Sequence, residues 1–215
     1  MKYKTYIFDF DFTLADASIG IIKSVNYALN QLGLNSAGCD DIRKTIGKTL
    51  EDILFDLTGI SDNSVAGLFI SHYGSMANKV MTANTALLDD TVKTLSLLKQ
   101  SGRNTAIVTT KYRYRVNEAL VKYNISELID YIVGFEDVEI AKPSPEGLLK
   151  AIEHFGNDEQ SVLYIGDSLV DANTAANASV DFAAVTTGTT ASQDFLKLPH
   201  IYIAKNLTEL MENVF

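Results

Sequence analysis

The 215-residue chain has one cysteine, Cys39, so it can form no intramolecular disulfide, and no second ligand stands near that thiol to suggest zinc. Cations are also scarce. Against 27 Asp and Glu there are 18 Lys and Arg, a formal net charge of −9, and no basic run is present, which argues against a nucleic-acid partner. No apolar run approaches the roughly 18 residues of a spanning helix, so no membrane partner is expected. The early lysines Lys2 and Lys4 are followed by Asp9 and Asp11 before a signal-peptide core could form, and the expectation is a cytoplasmic protein. The three histidines, His72, His154 and His200, are scattered and fall in no motif. Internal repeats and low-complexity segments are absent. What remains is ordinary globular composition, 47% hydrophobic and 21% charged, on a chain long enough for one large domain or for a domain carrying a smaller one.

Short apolar runs ending in polar residues recur at 3–8, 104–109, 131–134, 161–165 and 182–185, and they read as strands buried on both faces. Helical patterns separate them at 91–100, 112–123, 145–155 and 169–178. Strands alternating with helices of this length imply right-handed crossovers, and so an α/β fold with a doubly wound parallel sheet. The stretch 16–83 breaks the alternation. It carries helical patterns at 19–32, 40–57 and 64–80 with turn-rich breaks between them, and it reads as a small all-helical domain inserted into a core of 1–15 and 84–215.

In an open parallel sheet, ligands bind beyond the carboxyl ends of the strands, so the polar residues there are examined first. Asp9-Phe10-Asp11-Phe12-Thr13-Leu14 follows the first run, Thr109-Thr110-Lys111 the second, Lys142-Pro143-Ser144-Pro145 the third after a short acidic loop, and Gly166-Asp167-Ser168-Leu169-Val170-Asp171 the fourth. In order and approximate spacing these resemble the four signature motifs of the haloacid dehalogenase-like superfamily, over essentially the whole chain. Each motif is weak singly; the four in sequence are specific.

The resemblance implies a Rossmann-like core with a helical cap and phosphohydrolase chemistry. Two carboxylates at i and i+2 point to opposite sides of an ideal strand, but where the strand ends the backbone can turn both toward one pocket. Asp9 would be the nucleophile and Asp11 the general acid and base. A dianionic phosphate repels these carboxylates unless charge is cancelled, which points to Mg²⁺. By the resemblance its ligands are the Asp9 carboxylate, the Asp11 backbone carbonyl and the Asp167 carboxylate. Asp171, one helical turn beyond Asp167, would accept from a metal-bound water or orient Lys142. Thr109, the Thr110 amide and Lys142 would hold the phosphoryl group. Tyr112, Arg113 and Arg115 open the next helix and read as a solvated face, though Lys111, Arg113 or Arg115 could touch a substrate carboxylate or a second phosphate. Two positions depart from the family pattern. Phe12 stands where glycine is usual, so the loop is expected to adopt dihedrals allowed to phenylalanine; Ser179 stands where glycine commonly ends the fourth-motif helix, at a cost of about 1 kcal/mol for a left-handed residue.

Asp11 separates the chain from dehalogenases and phosphonate-cleaving relatives, which lack that carboxylate. Ile21 and Ile22 occupy the region where beta-phosphoglucomutases carry a cap histidine. The cap, with Ile46-Gly47-Lys48-Thr49-Leu50, most resembles the phosphoglycolate phosphatase group, which also contains pyrophosphatases and nucleotidases. Specificity is expected around Lys44, Lys48 and Thr49, the partner being a small phosphorylated metabolite and the protein a monomer or homodimer. A receiver-like phospho-accepting module, the alternative from another class, would be a single compact domain with an adjacent acidic pair after its first strand; here Phe10 separates Asp9 from Asp11.

Overall fold

The computed structural model describes residues 2–215. The chain opens with β1 (Thr5–Phe8), the two-residue strand β2 (Ala15–Asp16) and the helices α1 (Ser18–Gln31), α2 (Cys39–Arg43), α3 (Leu50–Thr58) and α4 (Asn63–Val80). Next come β3 (Ala86–Leu87), α5 (Thr91–Gln100), β4 (Asn104–Val108), α6 (Arg113–Lys122), β5 (Tyr131–Val133) and α7 (Glu146–Phe155). The last elements are β6 (Val162–Gly166), α8 (Leu169–Ala178), β7 (Asp181–Val185), α9 (Ser192–Phe195), β8 (Tyr202–Ala204) and α10 (Leu207–Val214). They divide into two compact units, one of residues up to Ala15 with Leu87–Phe215 and one of Asp16–Ala86.

The first unit is the expected doubly wound α/β fold. Its parallel sheet runs β5-β4-β1-β6-β7-β8, and the four inner strands are buried along most of their length, as the unbroken apolar runs require, while the edge strands β5 and β8 are mostly half-buried. Side chains alternate across it. Tyr6 and Phe8 join one cluster with Leu95, Leu98, Val116 and Leu210; Ile7 joins the other with Leu148, Ala151, Ala172 and Ala175. Full burial of a ring such as Phe8 contributes about 1.5–3 kcal/mol. β1 is central, with β4 on one side and β6 on the other, and chain order reverses across it. Ligands bind at such a switch point because the loops after the two neighbouring strands part there. β8 carries no clear sequence signal, since three residues give too short a pattern to separate from loop, and α10, with eight residues, spans little more than two turns.

The second unit buries Val25, Ala28 and Leu29 of α1 against Phe69 and Ala77 of α4, with Ile42, Ile53 and Leu54 completing its core. The continuous helix expected over 40–57 is instead two helices, α2 and α3. Gly47 at φ +99° takes the chain out of helical dihedrals, and Thr49 restarts it by accepting from the Asp52 N–H. Among the described residues no single helix is long and apolar enough to cross a membrane.

Candidate active site

Asp9 leaves the sheet at its centre. Its N–H still donates to the Ile165 carbonyl at 2.8 Å, one residue beyond β1. The chain then turns sharply, and the N–H groups of Thr13, Leu14 and Ala15 all donate to the Phe10 carbonyl. That turn brings Asp11 close enough for its charge to act on Asp9, as expected where a strand ends. Phe12 departs from expectation: it sits at φ +61°, in the left-handed region. The strain costs about 1–2 kcal/mol, which burial of the ring at 3% exposure offsets by about 1.5–3 kcal/mol. Its carbonyl also accepts from the Thr187 hydroxyl, and its N–H donates to the Ala15 carbonyl at 2.7 Å. Ser179, at φ +57°, is left-handed as expected.

Lys142 is the hub. Its ammonium donates to Asp9 Oδ1 at 2.8 Å, to Asp171 Oδ1 at 2.6 Å and to the Tyr164 hydroxyl at 3.1 Å, which engages all three of its hydrogens. Asp171 is fully buried and its two oxygens are saturated. Oδ1 also accepts from Tyr164 at 2.8 Å, while Oδ2 accepts the Ser168 hydroxyl at 2.5 Å and the Ser168 N–H at 3.1 Å. Of the two duties expected for Asp171, its contacts match orienting Lys142. The same Ser168–Asp171 exchange is the capping box of α8, so one carboxylate both starts the helix and holds the lysine. Lys142 precedes Pro143 through a cis peptide bond, and the Ser144 hydroxyl accepts from the Glu146 N–H at the start of α7.

Asp167 follows β6, and its Oδ1 accepts from the Thr13 hydroxyl at 3.2 Å. Among the described residues it has no cationic partner. Asp9, Asp167 and Asp171 each present an oxygen within 4.8 Å of the others. Burial is the largest influence on Asp9 and raises its carboxyl to about 6; Lys142 opposes that rise and the Asp171 charge adds to it. Burial likewise pushes Asp167 well above the carboxylate range, with Asp171 and Asp9 adding to the shift. For Lys142 burial acts downward, yet Asp171 and Asp9 outweigh it and hold the ammonium well above its usual value. Three buried carboxylates share one cation, so the cluster is short of positive charge. An all-oxygen donor set in that condition fits a hard divalent cation.

Thr109 is buried beyond β4, its N–H donating to the Val133 carbonyl at 3.1 Å, and it lines one cleft with Lys142, Gly134 and Ala141. Thr110 follows, half-buried. Lys111 turns inward: its side chain is 8% exposed and its ammonium donates to Asp11 Oδ2 at 2.7 Å. The structure therefore gathers Asp9, Asp167, Asp171 and Lys142 at the carboxyl ends of β1 and β6, joins Asp11 to Lys111, and sets Thr109 beside Lys142. Lys44, Lys48 and Thr49 belong to the helical unit. There Lys48 pairs with Asp56 at 2.6 Å, Lys44 approaches Asp41 at 3.8 Å, and Thr49 caps α3.

Sequence reasoning passed over Tyr164, Thr13, Ser168 and Gly188. Tyr164 is an ordinary strand residue and Thr13 a loop residue of the first motif, while Ser168, three residues before Asp171, carries only the spacing of a capping box. Gly188 lies so close to Asp167 that an added Cβ would fall 1.9 Å from Oδ2. Gly188→Ala must therefore displace that carboxylate. We expect it to weaken divalent-cation affinity by about 10- to 100-fold, measured by Mg²⁺ titration calorimetry, with the far-UV spectrum unchanged. Parental affinity in the variant would dissociate Asp167 from the cation.

A family model for haloacid dehalogenase-like hydrolases matches residues 6–185, and the chain belongs to that family. It is an enzyme of the phosphatase class. A pyrophosphatase PpaX of Bacillus cereus is 31% identical over 185 residues, covering 86% of this chain and 84% of that protein. Its namesake in Halalkalibacterium halodurans is 28% identical over 214 residues, covering 100% of this chain and 98% of the other. The crystal structure of a Bacteroides fragilis protein assigned as a haloacid dehalogenase-like hydrolase superposes with a TM-score of 0.95 at 44% identity, covering 97% of this chain and 100% of that one.

Proposed function

We propose that the protein is a Mg²⁺-dependent phosphatase that hydrolyses a small phosphorylated metabolite through an aspartyl-phosphate on Asp9. The observation that carries the reading is the buried cluster in which Lys142 bridges Asp9 and Asp171 while Asp167, among the described residues, stands without an ion-paired cation. The Asp9 carboxylate attacks phosphorus, the bond to the leaving oxygen breaks, and Asp11 supplies the proton that oxygen takes up. Water then attacks the acyl-phosphate and returns its proton to Asp11, releasing orthophosphate and free Asp9. Lys142, turning to the phosphoryl group the N–H it gives to Asp9, and the hydroxyl of Thr109, with the Thr110 amide, hold the phosphoryl oxygens; Asp171 and Tyr164 keep Lys142 in place. The carboxylates of Asp9 and Asp167 and the backbone carbonyl of Asp11 would hold the cation, which when bound neutralises phosphate charge against the carboxylates.

The substrate by resemblance is a phosphoglycolate-like monoester. The name of the Bacillus cereus relative favours pyrophosphate as a second reading. Lys44, Lys48 and Thr49 are proposed as specificity residues on sequence grounds. Each already has a partner in the helical unit, so a part in binding requires that Lys48, for example, release Asp56.

The test is multiple turnover across a panel of phosphate esters and anhydrides with Mg²⁺, abolished by chelator. A thermal shift reads the cation independently. The folded-state value of Asp9, about 6, lies above its unfolded value of 3.8, so protonation favours the folded state below the unfolded value and that contribution is lost as pH rises through about 6. A bound cation requires the ionised form. Mg²⁺ should therefore raise the melting temperature more at pH 7.5 than at pH 5. Equal shifts at both pH values, or full activity after exhaustive chelation, would remove the cation from this cluster.

A further inference from the structure

The Lys111 ammonium carries three N–H donors and, among the described residues, has one hydrogen-bond acceptor, Asp11 Oδ2 at 2.7 Å. The side chain is 8% exposed, with the ring of Phe10 lying 5.9 Å from the charge. Two of its donors thus have no protein acceptor among the described residues, and a half-buried cation so placed is open to pairing with an anion. The other oxygen of the pair, Asp11 Oδ1, is buried and has no hydrogen-bond partner. Both groups are incomplete on their own, and they are incomplete at the same place.

We infer that Lys111 binds a negatively charged leaving group, so that the substrate class is a phosphate ester or anhydride whose departing half is itself anionic. This rests on the proposed role of Asp11 as the acid that meets the leaving oxygen. A cation touching that carboxylate lies beside whatever departs. Through its free N–H groups it would pair with a second phosphate or with a carboxylate close to the bridging oxygen. It would hold that second anion as the bond to phosphorus breaks, so the contact is kept in the transition state and acts on kcat/KM. A neutral alcohol or phenol offers nothing for those donors to bind. The reader of the leaving group is then a residue of the second motif, on the same unit as the nucleophile. Inorganic pyrophosphate and phosphoglycolate share the required chemistry and differ in whether the anion is a phosphate or a carboxylate.

Lys111→Met should lower kcat/KM for pyrophosphate, for phosphoglycolate or for both by about 30-fold, while that for p-nitrophenyl phosphate changes less than about threefold. The anion that suffers identifies the source. Lys111→Arg, which keeps the charge, should hold the parental preference within a few fold. Equal losses on all three substrates would mean that Lys111 merely positions Asp11, and no loss on any would mean that it is a structural cation; either overturns the assignment. To separate it from the proposed phosphatase reading, affinities for pyrophosphate and for phosphoglycolate are also measured by calorimetry in an Asp9→Asn background. Adding Lys111→Met should weaken binding of at least one of them about tenfold or more. Unchanged affinity for both refutes the inference whatever the turnover; a weakened one supports it even if no panel substrate is consumed.

Discussion

Replacing Asp9 by asparagine is expected to lower kcat by more than about 10⁴-fold while leaving the protein at least as stable as the parent above pH 6. The amide keeps the shape of the carboxylate but cannot form an acyl-phosphate. The stability half of the prediction comes from the cluster. Burial raises Asp9 to about 6, so its ionised form destabilises the fold at higher pH, and a neutral isostere removes that cost while Lys142 retains Asp171 as partner. Kinetics with the best panel substrate and a thermal melt at pH 7.5 read the two halves separately. Activity within tenfold of the parent would sink the nucleophile assignment. A melting point several degrees below the parent would instead show that Asp9 is a net stabiliser of its neighbours.

Lys142→Met should be the most damaging single change to both function and fold. The side chain is 4% exposed and is the one cation in ion-pair contact with Asp9 or Asp171 among the described residues. Removing it leaves buried carboxylates unpaired, at about 3–5 kcal/mol, or a melting temperature lower by about 10 °C for a chain of this size. The deficit has a pH signature. Without the ammonium the Asp9 carboxyl loses the charge that opposes its upward shift, so the variant loses most at pH 7.5 and recovers toward the parent as acid neutralises that group. Adding Asp171→Asn should restore much of the stability without restoring turnover, because it removes the unpaired charge but not the need for a cation at the phosphoryl group. An equal deficit at pH 5 and pH 7.5 would show that the lysine acts through packing and not through charge.

Part of the candidate site was legible because Asp9, Thr109 and Asp167 each follow directly on a strand, whereas Lys142 stands nine residues beyond β5 and Asp171 lies inside α8. Apolar runs of four or five residues mark buried parallel strands, and the polar residue that ends a run must emerge at the carboxyl edge, where Asp9, Thr109 and Asp167 stand. The helical insert was legible from a change of period between residues 16 and 83. Its internal break was not, since Gly47 inside an amphipathic pattern reads as a tolerated glycine until its φ of +99° is seen. Local sequence also fixed the Ser168–Asp171 capping box, a spacing of three that any helix start converts into two hydrogen bonds.

Tertiary structure alone decided who meets whom. The pairing of β1 with β6 sets Ile7 opposite Tyr164 and so brings Asp9 beside Asp167 across 158 positions of sequence; β1 pairing with β4 brings the Thr109 loop to the same edge. Nothing in the sequence says that Lys142 spends its hydrogens on Asp9, Asp171 and Tyr164, that Gly188 must be small to admit Asp167, or that Lys111 turns inward to Asp11. Those partnerships are made by residues far apart in the chain, and a motif's spacing carries no information about a partner on another strand. Residue types and their order determined the chemistry this protein can perform. The register of six parallel strands determined the charge around it, because desolvation and pairing exist only where the fold brings the groups together.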